Sequence, residues 1–211
     1  MIGRNSKNTE STKSEAKTAA IRKGAMEEFL KNGYAATSMD KVAKTAGVSK
    51  ATVYSHFGDK ESLFNAVMQN LVKDKFQQVM SLEQAQALNR APQEVLSLMT
   101  TNMLANARSD RSFQDFMRII IGESGRFPEL AKAYVNNVAK PSIEVLTNYF
   151  KSHPALELED PEATVRVLIG TMVYFVILQD MLHAEDIMPL EGDRVVKALT
   201  DLITNGSSDK T

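Results

Sequence analysis

The chain has 211 residues, 43% of them hydrophobic, and a net charge of −1 at pH 7, which suits a folded protein with one sizeable core or a small head and a larger body. It contains no cysteine, which excludes disulfides, thiolate metal sites and cysteine nucleophiles and suits the reducing cytoplasm. The polar N-terminal stretch has no apolar core of the kind that a signal peptide needs, so we expect a cytoplasmic protein.

The first helix of the chain is predicted to follow a flexible arm. Residues 1–13 are polar and show no periodicity, which is typical of disorder. From Ser14 to Phe29, apolar or small residues recur at helical spacing, and Gly33 predicts the end of this helix. Thr37 or Ser38 then caps a second helix of barely two turns.

A glycine corner joins the second and third predicted helices in the stretch VAKTAGVSKATVYSHF, residues 42–57. Gly47 can take the positive φ that a sharp turn needs, and Ser49 can cap the third helix. If Val53 and Phe57 face inward, the third helix exposes Lys50, Ala51, Thr52, Tyr54 and Ser55. This pattern favours a helix-turn-helix whose second helix reads bases in the major groove. Plain helical packing gives the same shape, so spacing alone leaves both interpretations open.

The remaining segments are also helical in pattern. A fourth helix is predicted from Lys60 to about Met80, and the six prolines fall where later helical patterns begin or end. No stretch shows the sustained alternation of a strand, so we predict an all-α fold of about nine helices. Residues 1–76 carry 13 Lys and Arg against 8 Asp and Glu, whereas the rest carries 12 against 18. The predicted order is therefore an arm at 1–13, a basic DNA-binding head with a helix-turn-helix at 14–60, an acidic body at 61–206 and a polar tail at 207–211.

The stretch TSMDKVAKTAGVSKATVYSHFGDKESLF, residues 37–64, resembles the DNA-binding signature of TetR (tetracycline-repressor) transcription regulators. Residues 116–137 are similar to the ligand-domain segment of an AefR-like subgroup. By position, the resemblance assigns base reading to Lys50, Ala51 and Thr52 and phosphate contacts to Ser38, Tyr54, His56 and Lys60. Asp40 departs from the pattern, because many relatives carry a basic residue there.

The resemblance also implies a homodimer in which the last two helices of each subunit form a four-helix bundle. Independently, residues 164–182 are apolar nearly all round, and such a helix must be covered on every side. The final helix has an apolar stripe of its own. We place the dimer interface at Val165, Leu168, Met172, Val173, Val176, Val195, Val196, Leu199, Leu202 and Ile203. Burial in the core of a monomer is the weaker alternative, since the final helix can cover only one side.

Flexible and aromatic apolar residues crowd the body, a composition that suits a small hydrophobic effector. The candidate pocket residues are Met99, Met103, Phe113, Phe116, Met117, Ile120, Phe127, Tyr134, Tyr174, Phe175, Leu178 and Met181. The same residues at helical spacing also suit an ordinary core. The resemblance implies that effector binding releases a repressor from a double-stranded, palindromic operator.

Catalysis is not predicted, because the three histidines, His56, His153 and His183, lie in separate segments and no phosphate loop or hydrolase motif occurs. We predict no cofactor and no metal. A membrane span is not predicted either, since the longest apolar run has twelve residues against the roughly 20 required. Two alternatives to a ligand-released repressor remain: a DNA-localised regulator that acts through a protein partner without a small-molecule inducer, and a ligand-metabolising enzyme.

Overall fold

A computed structural model describes residues 5–71, 91–153, 156 and 158–205 of the chain. In this part of the chain the secondary structure is helical and no strand occurs, which confirms the all-α prediction. The N-terminal helices are α1 (Asn5–Ala36), α2 (Met39–Ala46), α3 (Lys50–Phe57) and α4 (residues 60–71). The later ones are α5 (Pro92–Ser109), α6 (Arg111–Glu123), α7 (residues 128–151), α8 (residues 161–181) and α9 (Gly192–Asn205). The predicted number of about nine helices agrees with these residues.

Helix α1 begins nine residues earlier than the sequence pattern predicts. Residues 5–13 were expected to form an arm and are helical instead, because they contain neither proline nor glycine and include helix-forming Lys and Glu. The predicted break at Gly33 is present, with φ 73° and ψ 172° interrupting the helical backbone. The Thr37 hydroxyl, which is buried, donates to the Gly33 carbonyl at 2.8 Å and steadies the chain after this break.

Helices α7 and α8 each contain a π-helical turn. Helix α7 comprises Pro128–Tyr134, the π-turn Val135–Ala139 and Lys140–Lys151. The sequence pattern predicts that Pro141 lies at the beginning or end of a helix. In the structure it lies inside a continuous one. Proline has no N–H to continue the helical ladder, and the wider turn just before it accommodates this loss. Helix α8 comprises Pro161–Val176 and the π-turn Ile177–Met181.

The chain folds into two compact units, and each is discontinuous in sequence. It contains the described residues up to 71 together with 115–137, and the second contains the described residues 91–114 and 138–205. An aromatic cluster forms much of the first core, with the Phe64 ring 4.6 Å from that of Phe116 and 5.3 Å from that of Tyr34. These units divide the chain differently from the predicted boundary after residue 60.

The core of the second unit packs helices α5, α7, α8 and α9 together. The inner face of α8 contributes Leu168 and Phe175, and α9 contributes Leu199. By length and hydropathy alone, α8 could also cross a membrane, a property that core helices of globular proteins share. Its outer face leaves Val167 and Tyr174 61% and 64% exposed, so the single subunit by itself does not cover this helix on every side.

Candidate nucleic-acid interface

The turn between α2 and α3 has the geometry of a helix-turn-helix. Gly47 adopts the left-handed conformation at φ 67° and ψ 30°, as its place at the corner predicted. The Val48 amide then donates to the Ala43 carbonyl at 3.0 Å, which closes the turn. Helix α1 crosses α2 so closely that a Cβ at Gly24 would lie 2.9 Å from the Ala46 nitrogen. These contacts fix α3 on the first unit.

The N-terminal residues of α3 form an exposed surface above a buried anchor. Val53 has no exposed area, and this anchoring directs the side chains beside it outward. Lys50, Ala51 and Tyr54 are exposed, and Thr52 is half-buried. The three predicted base-reading residues therefore lie together at the start of one helix, where small and donor groups can approach a groove.

Ser38 and Ser49 cap the two helices as the sequence predicted. The Ser38 hydroxyl accepts from the Lys41 amide at 3.3 Å, and Ser49 accepts from the Thr52 amide at 3.1 Å. The Ser49 and Thr52 hydroxyl oxygens are also 2.8 Å apart, so they share a hydrogen bond. Because one end of this bond is the cap, the Thr52 hydroxyl has a defined orientation at the tip of α3.

An ion pair crosses the turn between Lys50 and Asp40. The Lys50 Nζ lies 2.7 Å from Oδ1 and 2.9 Å from Oδ2 of Asp40, and both side chains are about 60% exposed. The hydrogen bond to Asp40 raises the pKa of Lys50, and the negative charge adds to this effect. The Lys50 Nζ also lies 5.7 Å from the centre of the Tyr54 ring. Asp40 was noted in the sequence only as a departure from the family pattern.

His56 connects the end of α3 to α1. Its Nδ1 lies 2.9 Å from the Thr18 hydroxyl oxygen, and the side chain is half-buried. This contact orients the imidazole ring, which the sequence had suggested only as a phosphate contact. The Tyr54 side chain, also predicted to contact a phosphate, is 44% exposed.

The half-buried Lys60 side chain holds its ammonium against backbone carbonyls of the protein. Its Nζ donates to the carbonyls of Tyr34 and Thr37 at 2.9 and 3.0 Å and to that of Ala35 at 3.5 Å. It also lies 4.3 Å from the centre of the Tyr34 ring. Burial lowers the pKa of Lys60, an effect that the charge of Glu123 partly offsets. The phosphate contact predicted for Lys60 stays a prediction, and it would have to compete with these carbonyls for the ammonium.

Tyr34 is a central residue of the first unit that sequence analysis did not single out. Burial raises its pKa to about 12, with smaller contributions from the negative charges of Glu129, Glu61 and Asp59. The Tyr34 ring packs edge-on against Phe127 at 5.1 Å. In the sequence, only its position directly after the helix-ending Gly33 could have indicated that Tyr34 packs into the core.

Two family models match the chain. The model of bacterial regulatory proteins of the tetR family covers residues 21–67, which include α2, α3 and their turn. The model of the C-terminal domain of AefR-like transcriptional repressors covers residues 94–205, more than half of the chain. The chain belongs to the TetR family of transcriptional regulators. Both resemblances predicted from the sequence are confirmed.

Similar proteins match nearly the whole length of this TetR-family chain. The uncharacterized HTH-type transcriptional regulator YhgD of Bacillus subtilis is 26% identical over 200 residues, which span 89% of this chain and 95% of YhgD. The structure of the flavonoid-responsive regulator FrrA is 25% identical, with a TM-score of 0.65 and coverage of 90% and 96%. NalD, the secondary repressor of the MexAB-OprM efflux pump in Pseudomonas aeruginosa, shares the fold at 24% identity, TM-score 0.63 and coverage of 92% and 97%.

The predicted pocket residues are divided between the two compact units of this TetR protein. Phe116 and Phe127 contact Phe64 and Tyr34 of the aromatic cluster, so part of their surface is committed to the first core. Met117, Ile120 and Tyr134 lie in the same unit. The second unit contains Met99, Met103, Phe113, Tyr174, Phe175, Leu178 and Met181. Tyr174 is exposed, whereas burial raises the pKa of Tyr134.

A groove of about 750 Å³ lies between α5 and α9 in the second unit, and none of the predicted pocket residues lines it. Its walls include Leu98, Thr101, Val196 and Thr200, with charged side chains such as Lys197 at the sides. The groove is open and partly polar, so it differs from the apolar enclosure that a hydrophobic effector needs. In the residues with described positions, no group of three or more His, Asp or Glu side chains is placed to hold a metal ion.

Eight of the ten residues predicted for the dimer interface lie in the core of the single subunit. They are Val165, Leu168, Met172, Val176, Val195, Val196, Leu199 and Ile203. Only Val173 and Leu202 are exposed, the latter by 73%. The apolar surface that remains for a partner on α8 and α9 therefore runs through Val167, Tyr174 and Leu202. Periodicity identified the apolar character of both helices but not which of their residues stay exposed on the single subunit.

Proposed function

We propose that this TetR-family protein is a sequence-specific DNA-binding repressor that recognises a near-palindromic operator as a homodimer in the cytoplasm. The exposed tip of α3 carries this proposal. Lys50, Ala51 and Thr52 stand together above the buried Val53, with a capped helix N-terminus behind them. Small residues permit close approach to base edges, and the donor groups supply hydrogen bonds. The match to AefR-like repressors supports the negative sign of regulation.

Dimerisation explains the exposed apolar surface on the last two helices. Val167 and Tyr174 on α8 and Leu202 on α9 would be covered by the same surface of a second copy, as a two-fold axis requires. Two heads related by this axis must present their α3 helices about 34 to 36 Å apart, or at a multiple of that spacing. A palindromic operator follows from this symmetry.

A small hydrophobic effector would release the operator. FrrA, whose chain this protein matches over most of its length, is described as flavonoid-responsive, which supports an effector of similar polarity. An effector that binds a conformer with the wrong head spacing lowers operator affinity, and operator lowers effector affinity by the same factor. Such couplings are typically about 1 to 3 kcal/mol.

Selection of bound duplexes from a random DNA library with the full-length protein tests this function. We expect an enriched motif with two-fold symmetry. Band shifts on that duplex, with a panel of planar and aliphatic hydrophobic compounds, then test release. Operator binding that a compound abolishes supports a ligand-released repressor. Binding that no compound alters but a protein partner does would favour the DNA-localised interaction regulator, and an unenriched library would contradict DNA recognition itself.

A further inference from the structure

The ion pair between Asp40 and Lys50 occupies the surface that carries the predicted base-reading residues. Asp40 lies in the first turn of α2 and Lys50 is the first residue of α3, so the pair spans the helix-turn-helix corner. The ammonium contacts both carboxylate oxygens, at 2.7 and 2.9 Å. The Tyr54 ring lies on the same helix, 5.7 Å from the ammonium. A flexible lysine is thereby held between a carboxylate and an aromatic ring.

Stability of the corner does not require this pair. Ion pairs with both side chains exposed contribute little to folding, since water screens them and side-chain entropy opposes them. The corner is already fixed by the Val48 amide on the Ala43 carbonyl and by the Ser49 cap. The pair is therefore expected to affect the binding of DNA to this surface more than the stability of the fold.

A carboxylate beside Lys50 changes which groups of DNA, phosphates or base edges, that lysine can contact. Non-specific binding depends on cations that reach phosphates of any sequence, and a phosphate is repelled by a neighbouring carboxylate. The Lys50 ammonium has three N–H donors. Even while it is bound to Asp40, it can still donate to an acceptor on a base edge. Guanine presents two such acceptors, O6 and N7, in the major groove.

We propose that Asp40 is a specificity-determining residue, which restrains Lys50 so that its ammonium contacts a base edge and is withheld from phosphates of non-cognate DNA. This inference rests on the proposed function, because it presupposes that α3 enters the major groove. Asp40 acts through Lys50 and is thus a positioning residue. Its contribution is to the ratio of operator to non-cognate affinity and not to operator affinity itself.

The test compares the full-length protein with its Asp40→Asn variant on the selected operator and on a scrambled duplex, over a range of salt concentrations. We expect the variant to bind scrambled DNA about fivefold more tightly, an effect of the size that one exposed ion pair commands. Its log–log salt slope on that DNA should steepen by about 0.9 for each head in contact. Operator affinity should change by less than about twofold, so the specificity ratio falls.

Two controls separate this effect from a general change of charge. Glu27→Gln removes an exposed carboxylate from α1 and alters the net charge equally, so it should leave the specificity ratio unchanged. In a Lys50→Met background, Asp40→Asn should lose its effect on scrambled DNA. Equal effects of Asp40→Asn and Glu27→Gln, or an undiminished effect without Lys50, would overturn the inference. A wild-type protein that binds operator and scrambled DNA equally would instead refute the proposed function.

Discussion

At the level of single residues, Lys60 shows how a cation can be committed inside the protein before DNA arrives. Its ammonium contacts the carbonyl of Tyr34 in the last turn of α1 and that of Thr37 in the link to α2. Both carbonyls follow the break at Gly33, and the Tyr34 carbonyl also accepts from the Thr37 amide at 3.3 Å. Lys60 therefore joins the first turn of α4 to the end of α1 and to the residue that precedes the Ser38 cap of α2.

Replacing Lys60 by Met should lower the free energy of unfolding by about 1 to 3 kcal/mol, because hydrogen bonds from a charged donor to partly buried carbonyls are lost. Denaturant titration measures this change. The log–log salt slope of operator binding should stay the same, since no phosphate contact disappears. A slope reduced by about 0.9 for each head would instead restore Lys60 to the phosphate contacts. Lys60→Arg keeps the charge but not the compact ammonium, and it serves as the matched variant.

Gly24 is needed for the close crossing of α1 and α2. A methyl group there would lie 2.9 Å from the Ala46 backbone nitrogen, which cannot move without shifting α2. Gly24→Ala should therefore destabilise the protein by about 1 to 3 kcal/mol, as overpacking does. Gly122→Ala is the control, because no atom lies within 4 Å of the added methyl on α6. That change should stabilise by about 0.5 to 1 kcal/mol in the same unfolding experiment, and equal effects at both positions would contradict the close crossing.

At the level of helices, α3 combines a cap that stabilises it with the tip that we propose contacts DNA. Ser49 serves the cap, and Thr52 shares a hydrogen bond with it. Thr52→Ala should change base preference at one position in each half-site, since it removes a hydroxyl from the tip but leaves the Ser49 cap on its amide. Selection from a random library measures this change. Thr52→Ser retains the hydroxyl and should return the wild-type motif, and an unchanged motif from Thr52→Ala would exclude Thr52 from base recognition.

Sequence patterns predicted local structure well where a single residue type determines the backbone. Gly47 and the two serine caps lie where the sequence placed them, because positive φ and helix N-termini select particular residues. The outer face of α8 could not be predicted, since nearly every position of that helix is apolar. Leu168 and Val167 are adjacent and equally hydrophobic, yet only packing against the other helices buries the first and exposes the second. The inward orientation of Lys60 likewise depends on carbonyls that are 23 to 26 residues away in sequence.

At the level of the whole molecule, the exposed face of α8 should determine the oligomeric state. Tyr174→Glu places a charge where a partner would bury an aromatic ring, so we expect monomers in sedimentation velocity and a loss of operator affinity of at least about a hundredfold. The fold should be retained, because this side chain is outside the subunit core. Ile121→Glu changes another exposed apolar residue, on α6, and should remain dimeric. A dimeric Tyr174→Glu variant would place the interface on another surface.

The N-terminal helices that carry the helix-turn-helix should not fold independently of the rest of the chain. The Phe64 ring stacks on Phe116, a residue that the chain reaches only after passing through α5, and Tyr34 packs against Phe127 in the same returning segment. A fragment cut after α4 would leave these rings against water and should aggregate or melt. Grafting this head onto a foreign effector domain would therefore require the donor's residues 115–137 as well, and chimeras cut at a single point in the chain should fail to fold.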